Sequence, residues 1–201
     1  MTASQNLADR STATSSRRLI RRILAASGRS FLYCLLLLPL AVAAVVATLV
    51  GQAPTAIAWW RWLRSRVLRV PPAPVSRRRA ALAVTGHALV SLLLGVAAMV
   101  PLGMEGLFIT RSVLYGLVDS GPYTESWGGP TLAGAWLAHF LVGIPLAGAG
   151  LLALAGIAAI HQRLSRALDA ERVAAWLIPV ALIICLLGGL FFVAWLQQLP
   201  S

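Results

Sequence analysis

Four long apolar segments, separated by polar and arginine-rich stretches, dominate the pattern of the chain. They cover residues 31–60, 81–104, 132–160 and 173–196. A helix needs about 20 apolar residues to cross about 30 Å of hydrocarbon, and each of the last three segments exceeds that length. These three segments therefore predict transmembrane helices, and the chain is expected to form an all-α integral membrane protein.

Composition agrees with this prediction. Hydrophobic residues make up 59% of the 201 residues, charged residues only 11%, and the mean hydropathy is +0.81. Such a chain is too apolar for a soluble domain of this length. The net charge of +11 comes from 17 arginines, with no lysine, against six acidic residues. Arginines clustered beside apolar segments favour membrane topology over nucleic-acid binding.

The distribution of charge predicts how the chain is oriented. Arginines cluster at 17–29, 61–79 and 163–172, and the positive-inside rule makes all three clusters cytoplasmic. Residues 105–130 hold one arginine and three of the six acidic residues, which predicts an extracytoplasmic loop. The polar, Ser/Thr-rich residues 1–28 predict a disordered cytoplasmic tail rather than a cleaved signal peptide. We expect a multi-pass protein of the cell membrane with a cytoplasmic N-terminus.

The first apolar segment conflicts with a simple crossing, because arginine clusters flank both of its ends. Pro39 and the Gly51–Pro54 stretch are breakers that would let residues 31–50 enter the membrane and 55–60 return. An N-terminal membrane hairpin is therefore favoured, and a single span stays open as the alternative.

The end of this segment predicts an amphipathic helix in the membrane interface. Along residues 59–70, bulky apolar side chains gather on one helical face and arginines spread over the other. The tryptophans would lie at headgroup depth and the arginines would reach anionic lipid, so membrane lipids are expected partners. The predicted interface residues are Trp59, Trp60, Trp62, Arg61, Arg64, Arg66 and Arg69.

Residues that carry chemistry are few. The sequence contains no HExxH, GxSxG or P-loop motif, so no enzymatic activity, cofactor or metal is expected. Cys34 and Cys185 have no Cys or His at ligand spacing and are interpreted as small buried hydrophobic residues.

Two histidines, His87 and His139, lie inside predicted spans, where an ionisable residue is a functional candidate by default. His87 is interpreted as a hydrogen-bonded structural residue. His139 is either structural or part of a sensing pocket beneath the outer loop. The predicted spans put the two histidines about 10 Å apart in depth, which is too far for one metal site.

The stretch YTESWGGPTLAGAWLAHF at 123–140, with the basic exit IHQRLSRAL at 160–168, resembles the sensor domain of actinobacterial two-component histidine kinases. The similarity covers about 29–168 and is weaker in GRSFLYCLLLLPLAV, at 28–42. In that family a membrane domain precedes the kinase core, and similar domains also occur as stand-alone membrane proteins. No kinase core follows here, because 169–201 read as a linker and an additional transmembrane helix.

The resemblance implies a membrane-embedded sensor that detects an envelope or extracytoplasmic cue and relays it to a separate protein, such as a kinase or response regulator. The alternative is a small accessory or assembly subunit of a membrane complex such as a transporter. A third alternative is an enzyme acting on lipids, which no motif supports. The candidate ligand-binding residues are Tyr115, Asp119, Tyr123, Glu125, Trp127, Trp136 and His139.

Overall fold

A computed structural model describes residues 3–71, 81–169 and 177–197. These residues form helices and connecting turns, with no strand in the described ranges, which confirms the all-α fold. The helices are α1 (Ala3–Leu49), α2 (Ala53–Arg66), α3 (Ala81–Phe108), the single turn α4 (Tyr115–Val118), α5 (Leu132–Ser165) and α6 (Leu177–Leu196). A π-helical segment, Ile109–Val113, extends α3, and a 3-10 turn, Arg166–Asp169, extends α5.

Three helices are long and apolar enough to cross a membrane. They are Ser16–Leu49, Ala81–Val113 and Leu132–Ser165, and a shorter apolar helix covers Pro179–Phe191. The second and third predicted spans are confirmed as α3 and α5. The remaining long helix is α1 rather than the C-terminal segment, of which residues 173–176 lie outside the described residues.

The N-terminal apolar segment forms the predicted hairpin. Helix α1 continues through Pro39 to Leu49 and ends in a turn in which Gly51 has a φ of +80°. The N–H of Gln52 donates to the Ala47 carbonyl at 2.7 Å, closing the turn in the manner of a Schellman motif. Helix α2 then returns against α1, over a longer stretch than the predicted 55–60.

This hairpin brings the described parts of the arginine clusters to one end of the bundle, which we call the arginine end. Arg66 and Arg69, at the end of α2, border the same crevice as Arg29 of α1. Arg61 forms an ion pair with Asp169, directly after α5. A single crossing would have put the end of α2 at the opposite end, so the hairpin removes the charge conflict. That this end is cytoplasmic stays a prediction.

An amphipathic helix is present as α2, but it ends at Arg66 rather than at the predicted residue 70, and two of its predicted interface residues lie in the protein core. Trp60 is 0% exposed and Arg64 is 5% exposed, whereas Trp62 is 50% exposed. The hairpin folds the apolar face of α2 onto α1 and α3, so protein rather than lipid headgroups covers Trp60 and Arg64.

Two predicted boundaries are wrong. The described part of the tail predicted to be disordered is helical, because α1 begins at Ala3. The outer loop was predicted to begin at residue 105, which is too early. The apolar residues after Glu105 continue α3 and its π-helical extension to Val113. Glu105 is therefore buried within a long helix, against Gly150 of α5, where a Cβ atom would overlap its carboxylate.

The Gly-Gly-Pro turn before α5 sets where that helix begins. Gly128 and Gly129 have φ values of +96° and +97°, a conformation that glycine adopts without a steric penalty. Thr131 then caps the helix, because its side chain accepts a hydrogen bond from the Gly134 N–H at 3.2 Å. This start places His139 about two turns into α5.

Helix α3 is central and contacts α1, α2, α5 and α6. Its approach to α1 is close: a Cβ atom at Gly95 would lie 2.9 Å from the Leu38 Cα. Small residues allow such approach between membrane helices.

The buried Cys34 Sγ donates to the Leu154 carbonyl at 3.4 Å, and both Cys34 and Cys185 are free thiols. Polar side chains collect between these helices near both ends of α5.

Candidate functional site

A groove of about 380 Å³, which we call the outer groove, lies between the C-terminal part of α3 and the first half of α5. Apolar side chains line most of it, including Phe108 and Leu146. Arg111 and His139 supply polar groups, and Trp127 borders it from the loop. An apolar cavity with a few polar groups is typical of a small-molecule site.

The ring of His139 is held from within its own helix. Its Nδ1 lies 2.8 Å from the Ala135 carbonyl, and since a carbonyl only accepts, Nδ1 carries a hydrogen and donates. The ring stacks on Tyr115, with centroids 4.6 Å apart and planes at 27°. This leaves Nε2 with no hydrogen-bond partner among the described residues, and His139 is one of the residues that line the groove.

A hydrogen bond joins the two walls of the groove. Ser112, in the π-helical extension of α3, donates to the His139 carbonyl at 3.0 Å. The approach depends on Gly143, because a Cβ atom there would lie 2.5 Å from the Ser112 Oγ. π-Helical segments occur frequently at functional sites.

The outer loop folds onto Tyr115. The ring of Tyr123 lies 6.2 Å from that of Tyr115, and its hydroxyl donates to the Asp119 carbonyl at 2.7 Å. Partial burial and the Asp119 carboxylate raise the pKa of Tyr123. Asp119 also forms an exposed ion pair with Arg111 at 3.5 Å.

Most of the predicted ligand-binding residues collect at the outer groove and the loop beside it. Tyr115, Asp119, Tyr123 and His139 form a contact chain, and Trp127 and His139 border the groove. Two predicted residues lie elsewhere. Trp136 lines a separate depression and stacks on Phe140. Glu125 is exposed and has no ion pair within the described ranges.

A second polar group, which we call the inner cluster, lies near the arginine end. It consists of Tyr33, Trp60, His87, Ser91, His161 and Ser165. At its centre is His161, which is 0% exposed. The Tyr33 hydroxyl lies 2.6 Å from its Nδ1, and the Ser91 hydroxyl lies 2.8 Å from its Nε2. His161 therefore joins α1, α3 and α5.

The hydrogen-bond network determines which nitrogen of His161 is protonated. Ser91 has one hydroxyl hydrogen, which it donates to the His87 carbonyl at 2.7 Å. Toward His161 it can then only accept, so Nε2 carries the hydrogen. Nδ1 in turn accepts from the Tyr33 hydroxyl. A neutral imidazole with its hydrogen on Nε2 satisfies all three side chains.

His87 occupies a matching position beside His161. Its Nε2 lies 3.3 Å from the Ser165 hydroxyl, and the two imidazole rings are 5.3 Å apart. The Trp60 ring packs edge-on against both, with centroids 5.8 Å from His87 and 5.1 Å from His161. This packing fits the interpretation of His87 as a hydrogen-bonded structural residue. The partner of its side chain is Ser165 of α5.

A buried ion pair lies next to the cluster. Arg64 donates to one carboxylate oxygen of Asp169, and Arg61 Nε donates to the other at 3.0 Å. Within the described residues, Arg64 Nε and Trp60 Nε1 are buried donors without a hydrogen-bond partner. Asp169 therefore provides the charge compensation for Arg64 and attaches the end of α5 to α2.

The sequence interpretation missed His161, Tyr33 and the partner of Arg64. A signal was present, because α3 carries His87 and Ser91 and α5 carries His161 and Ser165, each pair four residues apart. On antiparallel helices these pairs face each other with each histidine opposite a serine. In the sequence, His161 lies within the basic exit from the predicted span, IHQRLSRAL at 160–168.

The two polar groups lie far apart. His139 and His161 are separated by 22 positions along α5, which is about 33 Å at about 1.5 Å per residue. His87 contacts Ser165, four residues beyond His161, and is therefore farther still from His139. The predicted separation of about 10 Å in depth is wrong, because the helices extend beyond the apolar segments from which it was calculated. The part of the chain that the structure describes contains no group of three metal-ligating side chains.

Comparison of the chain with models of known families, with curated proteins and with solved structures gives no match.

Proposed function

We propose that the protein is a membrane-embedded sensor that detects an extracytoplasmic cue at the outer groove and relays it to a partner protein at the arginine end. The observation that carries this proposal is the outer groove itself, which is lined by His139, whose Nε2 has no hydrogen-bond partner among the described residues. A ligand with a hydrogen-bond donor and an apolar body fits that combination.

Helix α5 provides a physical route from the groove to the other end. Val142 and Leu146 line the groove on either side of Pro145, and a proline inside a helix removes one hydrogen bond and favours a bend. A ligand packed there would bias the bend. The far end of α5 leads to Asp169, which holds α2 through Arg64, so a changed bend would displace or reposition that contact.

The test is photo-crosslinking in living cells, with a photoreactive amino acid in place of the exposed Arg163 near the end of α5. Leu146→Trp would fill the groove from its open side, since Leu146 is 52% exposed. Leu152→Trp is the matched control, because Leu152 is 75% exposed on the same helix and does not line the groove. His139→Asn tests the polar contact.

If the groove senses a cue, Leu146→Trp and His139→Asn change the yield of the crosslinked partner, and Leu152→Trp leaves it at the wild-type level. An equal yield in all four proteins would refute sensing through the groove. It would favour the accessory-subunit alternative, in which association does not depend on a ligand.

A further inference from the structure

A crevice of about 400 Å³ separates the end of α2 from α1 at the arginine end. Three arginines from two helices border it: Arg29 of α1, and Arg66 and Arg69 at the end of α2. Leu32 and Val67 supply apolar walls. We call it the headgroup crevice. It shares no residue with the outer groove or with the inner cluster.

The three guanidinium groups form no ion pair with any residue that the structure describes. The arginines that pair with described carboxylates are Arg61, Arg64 and Arg111. The only described carboxylate near this end is Asp169, which is already bonded to Arg61 and Arg64. Like charges that converge without a counter-charge repel one another, so this arrangement favours an external anion.

The backbone at Arg69 supports a specific role. Arg69 has a φ of +57°, and the Val70 N–H donates to the Arg64 carbonyl at 3.2 Å. This bond closes a turn one residue wider than a Schellman motif, and Arg69 occupies its left-handed position, where glycine is usual because a side chain is strained there. An arginine at this position carries a backbone penalty and points to a requirement for its side chain.

The position of the crevice indicates the kind of anion. Leu32 is 45% exposed and lies at the start of the apolar part of α1, so the crevice opens where the hydrocarbon of a membrane would begin. Guanidinium groups bind phosphate strongly and with fixed geometry. A molecule with a phosphate group and acyl chains matches both the arginines and the apolar wall.

We propose that the headgroup crevice binds one anionic phospholipid, with the phosphate held by Arg29, Arg66 and Arg69 and an acyl chain along Leu32. This site differs from the predicted interfacial helix, since two of that helix's arginines, Arg61 and Arg64, are engaged with Asp169. The bound lipid bridges α1 and α2 at the open end of their hairpin.

The test uses the purified full-length protein in nanodiscs of phosphatidylcholine, with and without phosphatidylglycerol. Arg69→Gly keeps the left-handed backbone and removes the guanidinium, and Arg66→Gln removes another from regular helix. Arg163→Gln is the matched control, because it removes an exposed arginine at the same end of the bundle, away from the crevice. Native mass spectrometry counts retained phosphatidylglycerol, and thermal melting reports stability.

We expect the wild type and Arg163→Gln to retain one phosphatidylglycerol and to melt higher when it is present. Arg69→Gly and Arg66→Gln should each weaken retention roughly fivefold, as an arginine near an anionic membrane contributes about that factor. In phosphatidylcholine alone, Arg69→Gly should melt at or above the wild type, because glycine removes the backbone strain. That arm separates a lost lipid site from a damaged fold.

Three results would overturn the proposal. Equal weakening by Arg163→Gln would mean that the lipid responds to overall charge rather than to the crevice. Equal retention of phosphatidylcholine and phosphatidylglycerol would remove the role of the anionic headgroup. A rise in melting temperature with inorganic phosphate, equal to that with phosphatidylglycerol, would make the ligand a soluble anion instead of a lipid.

Discussion

Asp169→Asn should strongly destabilise the protein, because it removes the only counter-charge that the described residues provide for the buried Arg64. The side chains of Asp169 and Arg64 are 3% and 6% exposed, and Arg64 Nε already has no partner among the described residues. Removing one member of a buried ion pair costs about 3–5 kcal/mol. Asparagine keeps the size and one acceptor oxygen, so we expect a loss of about 3 kcal/mol.

The size of this effect can be measured by thermal unfolding in detergent, followed by tryptophan fluorescence, since Trp60 is buried beside the ion pair. For a chain of about 200 residues, 1 kcal/mol corresponds to about 2–4 °C, so Asp169→Asn should lower the melting temperature by about 6–12 °C. Asp119→Asn is the control. It removes an ion pair with Arg111 whose side chains are 30% and 59% exposed, and such pairs contribute less than about 1 kcal/mol.

A rescue experiment tests the cause. Replacing both members of a buried ion pair with apolar residues is often neutral, so Arg64→Leu combined with Asp169→Leu should recover most of the loss. Arg61, whose side chain is 19% exposed, can turn to solvent. If Asp169→Asn melts within 2 °C or so of Asp119→Asn, the buried pair does not hold α5 to α2, and the reasoning fails.

Two further predictions concern the two ends of α5. Tyr33→Phe removes the donor to the buried His161 Nδ1, 2.6 Å away, and should cost about 1–3 kcal/mol of unfolding free energy in the same melting assay; an unchanged melting temperature would contradict the proposed proton positions. Gly143→Ala would place a methyl group 2.5 Å from the Ser112 Oγ and should cost about 1–3 kcal/mol by overpacking, whereas Gly148→Ala, with open space at its Cβ, should not destabilise.

Much of the fold could be predicted because it depends on local properties. A run of apolar residues long enough to cross hydrocarbon forms a helix whatever its neighbours are, since a backbone in lipid must satisfy its own hydrogen bonds. This reasoning predicted α3, α5 and the hairpin turn near Gly51. It failed at boundaries, as at Glu105, because hydropathy marks the apolar stretch and not the end of the helix.

The candidate sites were less predictable. The outer loop residues Tyr115, Asp119 and Tyr123 were identified because they are polar or aromatic near a span end, and they do converge on His139. Trp136 was assigned to the same site by proximity along the chain. It lines a different depression, with Leu117 and Leu132, about one helical turn nearer the start of α5 than His139.

The sequence by itself determined helices α3 and α5, the clustering of arginine and the turn that folds α2 back on α1, since each is set by residues close together in the chain. The tertiary structure alone decided the partners. Tyr33 and His161 are 128 residues apart, and Arg64 and Asp169 are 105 apart. Such contacts depend on the rotation and register of packed helices. The apolar face of α2 is an example. Such a face can pack against lipid or against the apolar side chains of other helices, so its sequence pattern does not distinguish the two. Only the packing of α2 shows that Trp60 lies in the core.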